Sequence, residues 1–143
     1  MGFDIEAAAE ITKAEDEGVV VAIIDPRSGE EAAKVTIVGT YSATYRREWD
    51  ALTNRLIRQR KIGKASTEEK EREEIQLVAA CILDWEGIRL GGRDLAFSKP
   101  NAITLLTKAP FILEQLSAAM RDHERFFSNG SGTSSPTPAT SGD

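Results

Sequence analysis

Six consecutive apolar residues, Val19-Val20-Val21-Ala22-Ile23-Ile24, are mostly β-branched, and a second β-branched run follows at Val35-Thr36-Ile37-Val38. Such side chains suit a pleated, half-buried surface, so both runs predict strands. Between them Asp25-Pro26-Arg27-Ser28-Gly29 supplies a turn, because proline presets one dihedral and glycine accepts a positive φ. The expected unit is an antiparallel β-hairpin over residues 19–38. A lone hairpin is marginal in water and must lie on other elements.

After Ser42 the apolar period changes from two to about 3.6. Tyr45, Trp49, Leu52 and Leu56 recur on one helical face while Arg46, Arg47, Asp50 and Arg58 fall largely elsewhere, which predicts a helix over 43–61 with Ser42 as its N-cap and Gly63 as its stop. Ser66-Thr67-Glu68-Glu69 has the form of a capping box. It opens a second expected helix, 67–85, whose Ile75, Val78, Ala79 and Ile82 share a face and which ends near Trp85 and Gly87. On this reading Trp49 and Trp85 are both core residues. In Gly87–Ser98 the Gly91-Gly92 pair marks a small hairpin or a loop that tucks Leu90, Leu95 and Phe97 onto the core. Ser98 and Pro100 suit the start of a short helix through Leu106. Pro110 begins the last helix, 110–127, where Ile112, Leu116, Ala119, Met120, His123 and Phe127 keep helical spacing.

Two ends flank this pattern. Residues 1–17 are acidic, with Phe3, Ile5 and Ile11 as the large apolar groups, and read as a short strand, a frayed helix or a flexible leader. Residues 129–143 carry no large apolar side chain and cannot offset the entropy of ordering, so a disordered tail is expected. The fold class is therefore α+β, mainly α: a short N-terminal antiparallel hairpin packed on three to four helices, as one domain over 1–128. No internal repeat or useful heptad run is present.

Composition fits this picture, since 143 residues with 41% hydrophobic and 29% charged side chains support one core and not two. No stretch approaches the roughly 20 apolar residues of a membrane span, and the acidic N-terminus lacks a signal-peptide core, so a cytoplasmic protein is expected. A net charge of −5 speaks against nucleic acid as the main partner. The exception is the basic run Arg46, Arg47, Arg55, Arg58, Arg60, Lys61 and Lys64. The acidic run Glu68, Glu69, Glu71, Glu73 and Glu74 follows closely, so internal charge complementarity is preferred to a DNA-binding face.

Candidate chemistry is sparse. Cys81 and His123 are the single cysteine and single histidine. Cys81 lies in the apolar stretch VAACIL and reads as a buried structural residue. One of each also makes a poor zinc site, which takes four ligands. Asp84 and Glu86 flank Trp85 and are the best candidate pair of acids, but a spacing of two on a helix sends side chains apart. Neither Gly29 nor Gly91-Gly92 belongs to a phosphate-binding fingerprint. The expectation is no catalytic residue, no cofactor-binding residue and no metal ligand: a protein-binding domain and not an enzyme.

In order along the chain stand Asp25-Pro26-Arg27-Ser28-Gly29-Glu30, a strand ending in Gly39, Ser42 with Tyr45-Arg46, Ala79-Ala80-Cys81, Asp84-Trp85-Glu86-Gly87, Leu95-Ala96-Phe97-Ser98, Asn101-Ala102 and Leu105-Leu106. Over Val19 to Phe127 this resembles the small tail assembly chaperones of long-tailed bacteriophages, the lambda minor tail protein G-like group. The resemblance implies a non-catalytic protein in the host bacterial cytoplasm that keeps tape-measure protein soluble, helps recruit tail-tube subunits and is absent from the mature virion. It also implies that a longer product can arise by ribosomal frameshifting. Self-association is left open. The alternatives are a virion structural protein, such as a tail or head-tail connector component, and a DNA-binding regulator using the basic helix.

Overall fold

A computed structural model describes residues 2–59, 63 and 66–130. A one-turn 3₁₀ helix at Ile5–Ala7 leads into α1 (Ala8–Glu17), then β1 (Val19–Ile24) and β2 (Glu31–Ile37). There follow α2 (Ala43–Gln59), α3 (Thr67–Ala80), β3 (Ile82–Glu86), the short strands β4 (Arg89–Leu90) and β5 (Arg93–Asp94), α4 (Lys99–Lys108), α5 (Pro110–Arg121) and α6 (His123–Gly130). The architecture is α+β and mainly helical, with the antiparallel hairpin near the N-terminus.

The hairpin forms as its β-branched runs dictate: β1 pairs antiparallel with β2, Val21 opposite Val35 and Val19 opposite Ile37. Alternation then sends Val19, Val21 and Ile23 inward while Val20, Ala22 and Ile24 face out. The Asp25 carboxylate closes the turn by accepting from the Arg27 backbone N–H (2.8 Å) and guanidinium (2.8 and 3.1 Å). At the turn end of β1 the Gln115 amide of α5 brackets Ile24, accepting from its N–H (2.9 Å) and donating to its carbonyl (2.8 Å). This covers part of an edge that would otherwise offer unpaired groups.

The sheet has a third strand that the helical reading of 67–85 did not anticipate. α3 stops at Ala80, Cys81 is its C-cap, and β3 pairs antiparallel with β2 with Val35 opposite Trp85 and Ile37 opposite Ile82. The physical reason is tertiary: as a strand the segment pairs its backbone with β2 and buries Ile82 and Trp85. Lys99 helps end α3, since its ammonium donates to the carbonyls of Ala79, Ala80 and Ile82 at 3.0–3.1 Å. Cationic groups at a helix C-terminus satisfy carbonyls that lack helical partners.

Other local readings hold. Ser66 and Glu69 form the expected capping box, and Ser98 caps α4 by accepting from Asn101 N–H at 3.1 Å. The Gly91-Gly92 pair turns the β4–β5 hairpin, with both glycines at positive φ. Leu95 and Phe97 pack partly buried against the core, but Leu90 is exposed and not tucked onto it. The last helix is broken: Asp122, at φ −88 and ψ 83, separates α5 from α6. That break shifts the helical phase, so Phe126 is fully buried and Phe127 is exposed, contrary to the uninterrupted pattern. Residues 131–143, most of the expected tail, lie outside the described residues, as do Arg60, Lys61 and Lys64 of the basic run.

The core lies between the inward face of the sheet and α3 to α6, with Val35, Ile37, Ile82, Leu106, Leu116, Met120 and Phe126 at its centre. Trp85 is 9% exposed, donates its indole N–H to the Leu95 carbonyl at 2.7 Å and meets Phe97 edge-on at 5.2 Å. α2 meets this core through the partly buried Tyr45. It packs mainly along α3 and contains no buried residue in 17.

Candidate functional site

α2 is positioned by the acidic leader. Ser42 is fully buried and its hydroxyl accepts from Tyr45 N–H at 3.1 Å, as an N-cap should. Asp16 of α1 adds a second cap, accepting from Ala43 N–H at 2.7 Å. Its neighbour Glu15 is 0% exposed, accepts from Tyr41 N–H at 2.9 Å and meets Nδ1 of His123 with its other oxygen. The Tyr41 ring stacks on the His123 ring at 3.9 Å, nearly parallel. Gly39 makes room for the carboxylate: a Cβ there would run into Glu15 Oε1. Residues 8–17 are thus helical and fastened to both the β2–α2 loop and α6.

From this anchored start α2 runs alongside α3. Leu52 and Arg55 line one depression with Glu73, Gln76 and Leu77, and Arg55 and Gln59 line the next with Glu69, Arg72 and Glu73, so later turns of α2 meet earlier turns of α3, as in an antiparallel helical pair. The basic helix therefore does face the acidic one, although no ion pair joins α2 to α3 among the described residues.

On one side of this pair lies a groove of about 400 Å³ whose floor is largely apolar. Its walls are Tyr45, Trp49, Leu52 and Leu56 of α2 and Leu77 of α3, with Lys70, Glu73, Glu74 and Arg121 at the rim. Tyr45 and Trp49 stack with ring centroids 6.3 Å apart. Partial burial pushes the Tyr45 phenol above its usual range, against the opposing pull of Arg121. The rim at this end is ordered by hydrogen bonds: Ser117 donates to Glu74 at 2.9 Å, and Arg121 donates to the Ser117 carbonyl and hydroxyl at 3.0 and 3.2 Å. Trp49 is 49% exposed, which corrects its expected place in the core. Helical spacing identifies an apolar face, but not whether the molecule covers it.

The residues singled out for chemistry are not brought together as a reactive site. Cys81 is fully buried at the end of α3, and its thiol is pushed up to about 12, foremost by burial. A thiol so protonated is a poor nucleophile. His123 is engaged with Glu15 and Tyr41 at the start of α6. Asp84 and Glu86 sit on β3, where a spacing of two places both on one face, and both are exposed while Trp85 turns to the core. Among the described residues no group of three or more His, Cys, Asp or Glu side chains could hold a metal ion. None of their helices is long and apolar enough to cross a membrane. The arrangement suits docking of an apolar surface between helices, a mode built on aromatic anchors within a polar rim. The stripe is visible in the sequence; the openness of the groove depends on the path of α2, for which no local signal exists.

The model of the YdaY prophage protein family matches residues 40–126, a stretch that contains α2, α3 and every residue lining the groove. No curated protein and no solved structure matches the chain.

Proposed function

We propose, starting from a chain that belongs to the YdaY prophage protein family and is therefore phage-derived, that it is a non-catalytic tail assembly chaperone working in the host cytoplasm. It holds tape-measure protein soluble and helps recruit tail-tube subunits during tail morphogenesis. The observation that carries this reading is the open α2–α3 groove, in which Tyr45, Trp49, Leu52, Leu56 and Leu77 offer an apolar floor to a partner. Tryptophan, tyrosine and arginine are the residues most often dominant at protein interfaces, and the groove presents all three types at its floor and rim. An aggregation-prone client has apolar helix faces to cover, and a groove between helices receives such a face by its residues at i, i+3, i+4 and i+7. The buried, protonated Cys81 and the engaged His123 agree with a role that turns over no substrate.

Co-expression with the tape-measure protein of the same phage is the test. The chaperone should move that protein into the soluble fraction and co-purify with it. A second arm is mass spectrometry of purified virions, where the chain should be absent. Stoichiometric recovery from virions with no effect on tape-measure solubility would instead establish a structural component. Salt-dependent binding to duplex DNA, lost on replacing Arg55 and Arg58, would establish the regulator reading.

A further inference from the structure

We infer that Ile82–Glu86 is a two-state segment, latched as strand β3 by the Lys99 ammonium and otherwise a continuation of α3. The inference does not depend on the chaperone reading. In an α-helix the carbonyl of residue i accepts from the N–H of residue i+4. Were α3 to run on, the carbonyls of Ala79, Ala80, Cys81 and Ile82 would take the N–H groups of Leu83, Asp84, Trp85 and Glu86. All four carbonyls are claimed from elsewhere in the fold. Lys99 Nζ donates to Ala79, Ala80 and Ile82 at 3.0–3.1 Å, and the Val38 N–H donates to Cys81 at 2.9 Å. An ammonium has three donors, so Lys99 directs every one of them at this helix end.

Little within α3 itself calls for a stop at Ala80. Cys81 keeps dihedrals of the helical region, φ −95 and ψ 0, and the last turn of α3 has no basic side chain. The usual terminator stands later, at Gly87, whose φ of 85 suits the residue just past a helix end. A helix through Glu86 also keeps Ile75, Val78, Ile82 and Trp85 at helical spacing. Lys99, by contrast, is out of place in its own helix. It is the first residue of α4, where the helix dipole disfavours a cation and no acid in the first turn offsets it. The strand side is loosely held, since Leu83 has no partner in β2 and the register shifts between Thr36 and Ile37. The two states compete for the same four carbonyls, and one lysine controls three of them. Release of β3 bares the edge of β2 at Lys34 and Thr36, which stand opposite Glu86 and Asp84 in the latched state.

Nuclear magnetic resonance of the full chain tests this by the Cα chemical shifts of Ile82–Glu86 and the cross-strand contact of Val35 with Trp85. Wild type should show strand shifts and the contact. Lys99→Met keeps an apolar stem and removes the three donors. Its shifts over Ile82–Glu86 should move to helical values, and the contact should vanish. Leu83→Pro blocks the helical state, because proline lacks the N–H that would bond Ala79 and clashes with the preceding turn. It does so at the position that has no β2 partner. Lys99→Met combined with Leu83→Pro should therefore regain the strand shifts and the contact. A Lys99→Met protein that keeps both would overturn the proposal. So would a Lys99→Met protein that loses them, whether by unfolding or by becoming helical, without recovering them on addition of Leu83→Pro, since Lys99 would then stabilise the fold without choosing between two states.

Discussion

Replacing Glu15 by alanine should be among the most damaging single changes that leave the apolar core untouched. The carboxylate is fully buried, accepts from the backbone N–H of Tyr41 and meets the His123 ring. Its removal leaves the Tyr41 N–H of this part-buried bond without that partner, at a cost of about 1–3 kcal/mol at most. His123 is 32% exposed, so water can replace its partner and the lost pair adds roughly 0.2–1 kcal/mol. Together about 1–4 kcal/mol is expected, a sizeable part of the roughly 5–15 kcal/mol that keeps a domain folded. Glu15→Gln keeps an oxygen for Tyr41 and should cost far less. Gly39→Ala drives a methyl into the carboxylate and should destabilise on its own, while the double variant Gly39→Ala with Glu15→Ala should lose clearly less than the two single losses combined, since one change relieves the clash of the other. Urea unfolding followed by far-ultraviolet circular dichroism measures all four. A Glu15→Ala protein within about 0.5 kcal/mol of wild type, the range of ordinary surface changes, would refute the anchoring role.

The two tryptophans should separate in the same assay. Trp85→Ala should lose about 3–5 kcal/mol, as buried aromatics do, while Trp49→Ala should stay within roughly 1 kcal/mol in monomer stability; equal losses would place Trp49 in the core after all. Cys81 should resist thiol reagents in the native protein and react only on unfolding, because it is buried and its thiol is pushed up to about 12; fast stoichiometric labelling of folded protein would contradict this. Asp25 should titrate at about 2 rather than near 3.8, held down foremost by its hydrogen bond from the Arg27 side chain. A depressed carboxylate contributes stability above its unfolded value, and that contribution fades as pH falls from about 3.8 through about 2. A nuclear magnetic resonance titration should show the low midpoint and its return toward 3.8 in Arg27→Ala; a wild-type midpoint near 3.8 would count against the pairing.

What was legible in the sequence was local. The β-branched run Val19–Ile24, the turn at Asp25-Pro26 and the caps at Ser42, Ser66 and Ser98 each carry their structure within a few residues, and each formed as expected. β3 was hidden because Ile82–Glu86 continues the apolar face of α3, and its strand state depends on pairing with β2 more than forty residues earlier. The break at Asp122 has neither proline nor glycine to announce it. Glu15 lies 108 residues from His123, so nothing near it in the chain marks it as buried. The groove was half legible: the stripe of Tyr45, Trp49, Leu52 and Leu56 was plain, but periodicity cannot distinguish a face turned to the core from one left open.

Under the proposed function the α2–α3 groove takes hold of a tail protein. Co-purification of tape-measure protein with wild-type chain and with Trp49→Glu, at matched expression and after circular dichroism has shown both to be folded, tests it most directly. Soluble tape-measure protein should be retained on the wild type and lost from Trp49→Glu. Equal retention by both, or none by the wild type, would contradict it.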